Sequence, residues 1–101
     1  MIRHLVFFSV EDPGQIDMVI QTLTSYRDIP GVRSLEVARN ERLDAVGGDI
    51  DVVLHATFAD REDLANYKRH PIYLAGIDAI RPRRRLRYVV DYEVADGALR
   101  R

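Results

Sequence analysis

Hydrophobic positions along the chain fall into alternating strand and helix patterns. Residues Ile2 to Val10 contain Leu5-Val6-Phe7-Phe8, apolar on both parities, as expected of a strand covered on both faces and therefore central in a sheet. Asp12 then offers a carboxylate N-cap and Pro13 suits the first helical position. Ile16, Val19, Ile20 and Leu23 recur at helical spacing, which predicts a helix running to about Asp28. Ile29-Pro30-Gly31 stops it, because Pro30 restricts the residue before it and Gly31 tolerates positive φ. From Val32 to Asn40, Leu35 and Val37 alternate with Ser34 and Glu36, a half-exposed strand that belongs at a sheet edge. Asp44 to Asp51, with Gly47-Gly48 and three acids, reads as a flexible turn.

The second half repeats the scheme. Asp51 to Phe58 is again apolar on both parities and predicts a second central strand. Asp60 followed by Asp63 resembles a capping box with Asp in place of Glu, ahead of a helix that turns Leu64 and Tyr67 inward. His70-Pro71 interrupts that helix, and Ile72, Ala75, Ile77 and Ile80 predict a second piece ending before Pro82. Leu86, Tyr88, Val90, Tyr92 and Val94 alternate with Arg87, Val89, Asp91 and Glu93, the clearest period-2 signal in the chain, with the apolar stripe read as the inward one. Ala95 to Arg101 reads as a frayed tail.

The order β-α-β-β-α-β is that of the split βαβ, ferredoxin-like α+β fold with a four-stranded antiparallel sheet, in which the first and third strands are central. The two strands apolar on both parities are those two. Crossovers of one hand put the helices on one face, and the other face is left bare. A bare face carrying Phe, Val, Leu and Tyr is an association surface, so the sequence predicts a homodimer packed sheet to sheet about a two-fold axis.

Composition narrows the function classes. One hundred and one residues make one domain. Lys plus Arg is 15 against 16 Asp plus Glu, so no global positive field gathers nucleic acid or anionic membrane. The absence of cysteine removes disulfides, thiol nucleophiles, thiolate zinc sites and iron–sulfur ligation, and points to a reducing, cytoplasmic setting. The N-terminal apolar run is too short for a membrane span, and Glu11-Asp12-Pro13 replaces a signal-cleavage site. Three scattered histidines without HxH or HExxH spacing suggest no metal site.

Each polar residue of interest carries a structural reading beside a chemical one. His55, inside the third strand, reads first as structural or interfacial. His70 before Pro71 can brace the helix break. Tyr67 at an inward helical position reads as core, with a hydroxyl in need of a partner. Asp91 on the last strand has to be exposed, paired or functional. Five of the fourteen arginines fall in Arg81-Pro82-Arg83-Arg84-Arg85-Leu86-Arg87. Dense guanidinium groups can grip a phosphate or carboxylate, yet at a helix-to-strand junction they also offset a helix dipole, so the solvated-surface reading comes first.

Five segments in order, Ile2-Arg3-His4-Leu5-Val6-Phe7-Phe8, Ile29-Pro30-Gly31-Val32, the acid-led strand ending Thr57-Phe58, Tyr67-x-x-His70-Pro71 and Val90-Asp91-Tyr92, resemble the stress-responsive A/B barrel domain over residues 2 to 94. The resemblance implies a dimeric α/β barrel with a cavity between sheet and helices, and residues 95 to 101 as a tail. It also implies His4, Tyr67 and Asp91 as ligand-binding residues. Cofactor-free polyketide cyclases of that family, of the olivetolic acid type, carry a Tyr and a His at the positions of Tyr67 and His70. They carry a second His, paired with an Asp at the position of Asp91, where this chain has Tyr73. Tyr67, His70, Tyr73 and Asp91 are thus the candidate catalytic residues, with a Tyr73–Asp91 hydrogen bond as the expected substitute. A phenol of pKa near 10 is a poor base beside an imidazole, so the cyclase chemistry does not transfer intact. Two function classes follow: a cofactor-free enzyme on an aromatic or polyketide-like small molecule, either cyclase or monooxygenase, and a non-catalytic dimeric binding or stress-response protein. An anion or nucleic-acid binder using the arginine run is a minor third.

Overall fold

A computed structural model describes residues 1–95. The expected frayed tail lies, apart from Ala95, outside the described residues. Strand β1 spans Ile2–Val10, helix α1 Ile16–Thr24, β2 Ser34–Arg39, β3 Val52–Phe58, α2 Arg61–Tyr67, α3 Pro71–Ile80 and β4 Arg84–Glu93. Short 3-10 turns precede α1 at Pro13–Gln15, follow it at Ser25–Asp28, and join α3 to β4 at Arg81–Arg83. The fold is ferredoxin-like α+β. Its sheet order is β2-β3-β1-β4 and every neighbouring pair is antiparallel, so β1 and β3 are the central strands and β2 is an edge, as the hydrophobic pattern predicts.

Local chemistry fixes the element ends. Asp12 accepts from the Gly14 amide at 2.9 Å and opens the first helical turn. The Asp60 carboxylate caps α2 by accepting from the Asp63 amide at 2.9 Å, as the spacing predicts. His70 caps α3, its Nδ1 accepting from the Ile72 amide at 3.1 Å. Gly31 takes φ of +93°, which L side chains rarely adopt. Residues Asp44 to Asp51 are a turn with hydrogen bonds of its own to the flanking strands. Asn40 donates through Nδ2 to the Ile50 carbonyl at 2.8 Å, Arg42 pairs with Asp51, and the other Asp51 carboxylate oxygen accepts from the Val10 amide at 2.9 Å. Asn40, Arg42 and Asp51 thereby satisfy polar groups of the loop internally.

The pleat sorts the side chains. Ile2, Val6, Phe8 and Val10 of β1 and Val52, Leu54, Ala56 and Phe58 of β3 are buried, facing Ile16, Val19 and Leu23 of α1, Tyr26, Leu64, Tyr67 and Ile80. The opposite parity forms the open face. In β4 the outcome departs from the expected inward stripe. Cross-strand partners share a face, and Leu5 pairs with Val90, Phe7 with Tyr88 and Arg3 with Tyr92. Tyr88 and Val90 are therefore on the open face, 56% and 49% exposed, while Arg87, Val89 and Asp91 point to the helix side. Period 2 locates a strand but cannot say which parity meets the helices; only the pairing register does. Among the described residues no helix is long and apolar enough to cross a membrane.

Helix α3 is locked onto the core at one glycine. A Cβ on Gly76 would lie 2.2 Å from the Tyr26 hydroxyl oxygen, and that hydroxyl donates to the Tyr73 carbonyl at 3.2 Å. Gly76→Ala would ordinarily gain about 1 kcal/mol of helix propensity. Here overpacking against buried Tyr26 is expected to reverse the sign and leave a net loss of about 1–3 kcal/mol. Urea denaturation of the two proteins checks it, and a variant at least as stable as the parent refutes this packing.

Candidate functional site

The register that pairs β1 with β4 sets His4 directly opposite Asp91 on the helix side of the sheet. Their side chains meet, His4 Nδ1 donating to Asp91 Oδ1 at 2.5 Å. The imidazole is 1% exposed and the carboxylate 39% exposed, so the pair runs from the core to the solvent. Burial holds the His4 pKa below its usual 6.5. Asp91 pushes the other way, and the Lys68 and Arg87 charges add to the lowering. The ring is therefore neutral at pH 7, with its proton on Nδ1 and a lone pair on Nε2.

An aromatic cluster surrounds this imidazole. Tyr67 from the C-terminal turn of α2 stands edge-on to His4 at 5.9 Å and to Phe58 at 4.9 Å between ring centroids. Tyr26 and Tyr73 complete the group, 5.8 Å and 5.0 Å from Tyr67. Desolvation raises the Tyr26 and Tyr67 pKa values far above 10, so both phenols stay protonated and can only donate or share a hydrogen, never act as phenolate bases near neutrality.

Tyr73 does not reach Asp91. Its hydroxyl lies 3.4 Å from Arg87 Nη2, and the expected Tyr73–Asp91 hydrogen bond is replaced by the His4–Asp91 one. The reason is the register: Asp91 shares a cross-strand pair with His4, whereas Tyr73 in α3 overlies the β4 position four residues earlier. His70 is taken up in capping α3 through Nδ1, so its ring offers Nε2–H as a donor rather than a lone pair. His55 is on the open face, its Nε2 accepting from Arg3 Nη1 at 3.4 Å. The structure thus brings His4, Tyr67 and Asp91 together, sets Tyr73 next to them through the aromatic cluster, and leaves His70 to the helix end.

Two residues that the sequence reading did not assign to the site belong to this neighbourhood. Tyr26 follows α1 and packs on Tyr67 and Tyr73. Arg87 belongs to an arginine run whose composition suggests solvated surface, yet it pairs with buried Phe8 on the helix side. Its parity with Asp91, an even spacing on one strand, is the signal that could have found it.

A cavity of about 290 Å³ opens beside Asp91, lined by Ile2, Arg61, Leu64, Tyr92 and Glu93 as well, between α2 and the ends of β1 and β4. From there the helix-side face of β4 continues past Val89, 37% exposed because no helix covers it, to Arg87. A second depression of about 310 Å³ lies on the open face between the 40–50 turn and Phe7 and Val53, and no titratable side chain lines it. Among the described residues no group of three or more His, Asp or Glu is placed to hold a metal ion.

Residues 2–94 match the Stress Responsive A/B Barrel Domain family. No curated protein matches the sequence. Among solved structures, a dimeric ferredoxin-like protein of unknown function from Thermobifida fusca is 26% identical, with a TM-score of 0.81 over 92% of this chain and 90% of the other. Hydroxynitrile lyase from Passiflora edulis is 19% identical, with a TM-score of 0.80 over 94% of both chains. A putative antibiotic biosynthesis monooxygenase from Nitrosomonas europaea is 18% identical, with a TM-score of 0.73 over 93% of this chain and 98% of the other. At these identities the lyase and the monooxygenase share the fold and carry no activity across. The sheet order, the two central strands and a family match spanning all four strands agree: the chain belongs to the stress responsive A/B barrel domain family.

Proposed function

We propose that this protein is a homodimer that binds a small, aromatic or polyketide-like molecule in the cleft between its helices and β4, and that it moves a proton on that molecule without a cofactor. The observation that carries this is the His4–Asp91 pair, a buried imidazole held by a carboxylate that lines the cavity. A neutral imidazole fixed through Nδ1 by a carboxylate presents Nε2 as a base of defined direction, the arrangement by which a carboxylate sets the tautomer of a general base. A carbon acid bound there would give its proton to Nε2. The charge developing on its carbonyl oxygen would be met by the protonated Tyr67 phenol, and the proton would return to carbon or to a leaving group. The role that a phenol at position 73 cannot fill is thereby assigned to His4, which restores a base to the site.

Exchange of the α-protons of phenylacetone in deuterium oxide, followed by proton NMR, tests the reaction class. Acceleration over buffer is expected, falling about 100-fold or more in His4→Gln and in Asp91→Asn. Binding without acceleration would assign the non-catalytic reading instead, and acceleration untouched by His4→Gln would remove the proposed base.

The neutral state of His4 has a second consequence. Its pKa is below 6.5 in the folded chain and 6.5 in the unfolded one, so between these values the unfolded state binds more protons. Folding stability is unaffected by this group above pH 6.5 and falls as the pH drops below it, by up to about 1.4 kcal/mol per pH unit. Thermal melts between pH 8 and pH 5 should show this loss in the parent and a flatter profile in His4→Gln. A parent profile that is flat or rises on acidification contradicts a neutral buried His4.

The dimer is supported by the open face, where Tyr88, Val90 and Tyr92 stand exposed on one strand, and by the dimeric relatives. Light scattering is expected to give twice the 11.6 kDa chain mass at micromolar concentration. Val90→Asp, which sets two carboxylates against an apolar partner face, should shift it to monomer. A monomeric parent protein would overturn the proposal.

A further inference from the structure

The arginine run is split by the fold into two groups. Arg81 and Arg85 are exposed, whereas Arg83, Arg84 and Arg87 are partly buried. Strand β4 has one extra residue against β1: Ser9 pairs with Leu86 but Val10 pairs with Arg84, so Arg85 bulges out. Regular alternation would send Arg84 and Arg87, three residues apart, to opposite faces. The bulge instead sets Arg84 against buried Val10 and Arg87 against buried Phe8, both on the helix side. Arg83 reaches the end of α3, its Nη1 donating to the Ala79 carbonyl at 2.7 Å.

This group of cations lacks counterions. Among the described residues no carboxylate lies within salt-bridge distance of Arg81, Arg83, Arg84, Arg85 or Arg87. Among the described residues, the Nε atoms of Arg83 and Arg87 are buried with no hydrogen-bond partner, and the one side-chain hydrogen bond of Arg87 is to the Tyr73 hydroxyl at 3.4 Å. Burial together with the Arg87 and Arg81 charges lowers the Arg84 pKa, as mutual repulsion requires. Buried guanidinium donors without partners are costly, and a chain with 16 carboxylates could have supplied them.

We infer that Arg87, with Arg84 and the Tyr73 hydroxyl, holds the carboxylate of an elongated acid whose reactive end lies at His4 and Asp91. The inference rests on the reading of the cleft as a ligand site and names its substrate class: an amphipathic monocarboxylate, apolar in the middle. Arg87 and Asp91 are four residues apart on one face of an extended strand, about 13 Å, with only Val89 between them on that face. A planar guanidinium flanked by a phenol suits a carboxylate, which can accept from both at once. The middle of the ligand would lie over Val89, and its far end would enter the cavity at Asp91, where an anionic group would be repelled. The two ends of the cleft thereby also fix which way round the molecule binds.

The probes are 6-phenylhexanoate and its neutral amide, 6-phenylhexanamide, titrated into the full chain by calorimetry and by NMR of the arginine Nε–H resonances. The acid is expected to bind at least tenfold more tightly than the amide and to shift the Arg87 Nε–H signal in the parent protein. Arg87→Gln should abolish the preference, and Arg84→Gln should reduce it severalfold. Arg85→Gln, at the exposed bulge, should leave it intact. Equal binding of acid and amide would overturn the anion site while leaving the cleft as a ligand site. A preference that survives both Arg87→Gln and Arg84→Gln, or an Arg87 signal that does not move, would assign the carboxylate to exposed arginines and overturn it as well. If neither compound binds at millimolar concentration, the inference falls together with the small-molecule reading.

Discussion

The antiparallel register between β1 and β4 is the constraint on which the site depends. Once His4 is opposite Asp91, the period of two leaves no freedom along the strand: Arg87, Val89 and Asp91 must point toward the helices, and Tyr88, Val90 and Tyr92 must point away. A carboxylate that in isolation is only an oddity of a strand becomes the partner of a buried imidazole. The same register brings Arg87 beneath Tyr73. Neither contact requires a long loop or a special backbone conformation, and both groups are held by ladder hydrogen bonds of a sheet whose central strand is buried.

The helices contribute mainly shape. Tyr26, Tyr67 and Tyr73 come from three separate elements and converge because α1 and α3 pack across the same sheet face, with the Tyr26 hydroxyl tying one to the backbone of the other. Their rings keep water from His4, and this desolvation outweighs the nearby carboxylate in setting the imidazole neutral. A site of this kind depends on the core: the groups that tune the base are the groups that hold α2 and α3 in position. In the proposed function, activity and stability would therefore share residues, and substitutions at Tyr67 or Phe58 would be felt in both.

Much of the fold was legible in the chain. The runs apolar on both parities, Leu5-Val6-Phe7-Phe8 and the segment ending Thr57-Phe58, are the two central strands, and Asp12, Gly31, Asp60 and His70 mark element ends as their chemistry suggests. Those signals are local. The partner of Asp91 was not legible, because a hydrogen bond between residues 87 positions apart is decided by strand pairing, which leaves no trace in either segment alone. The inward assignment of the Tyr88-Val90-Tyr92 stripe failed for a related reason: a sheet with helices on one side and an apolar surface on the other offers two faces that hydrophobicity cannot distinguish. The hydrogen bonds by which Asn40, Arg42 and Asp51 close the turn at residues 44 to 51 were not legible either, because composition does not reveal side-chain partners.

Strand β4 is also an edge strand, ten residues long and rich in β-branched and aromatic residues, with one row of backbone donors and acceptors unpaired. Such an edge is a template for a foreign strand, and in a protein with an apolar sheet face it invites open-ended growth into fibres. The arginines that crowd its first half and the bulge at Arg85 oppose this: a strand approaching edgewise would have to desolvate several guanidinium groups and follow a kinked ladder. In the proposed dimer, association is thereby channelled away from the edge and toward the face, where it closes on itself and stops.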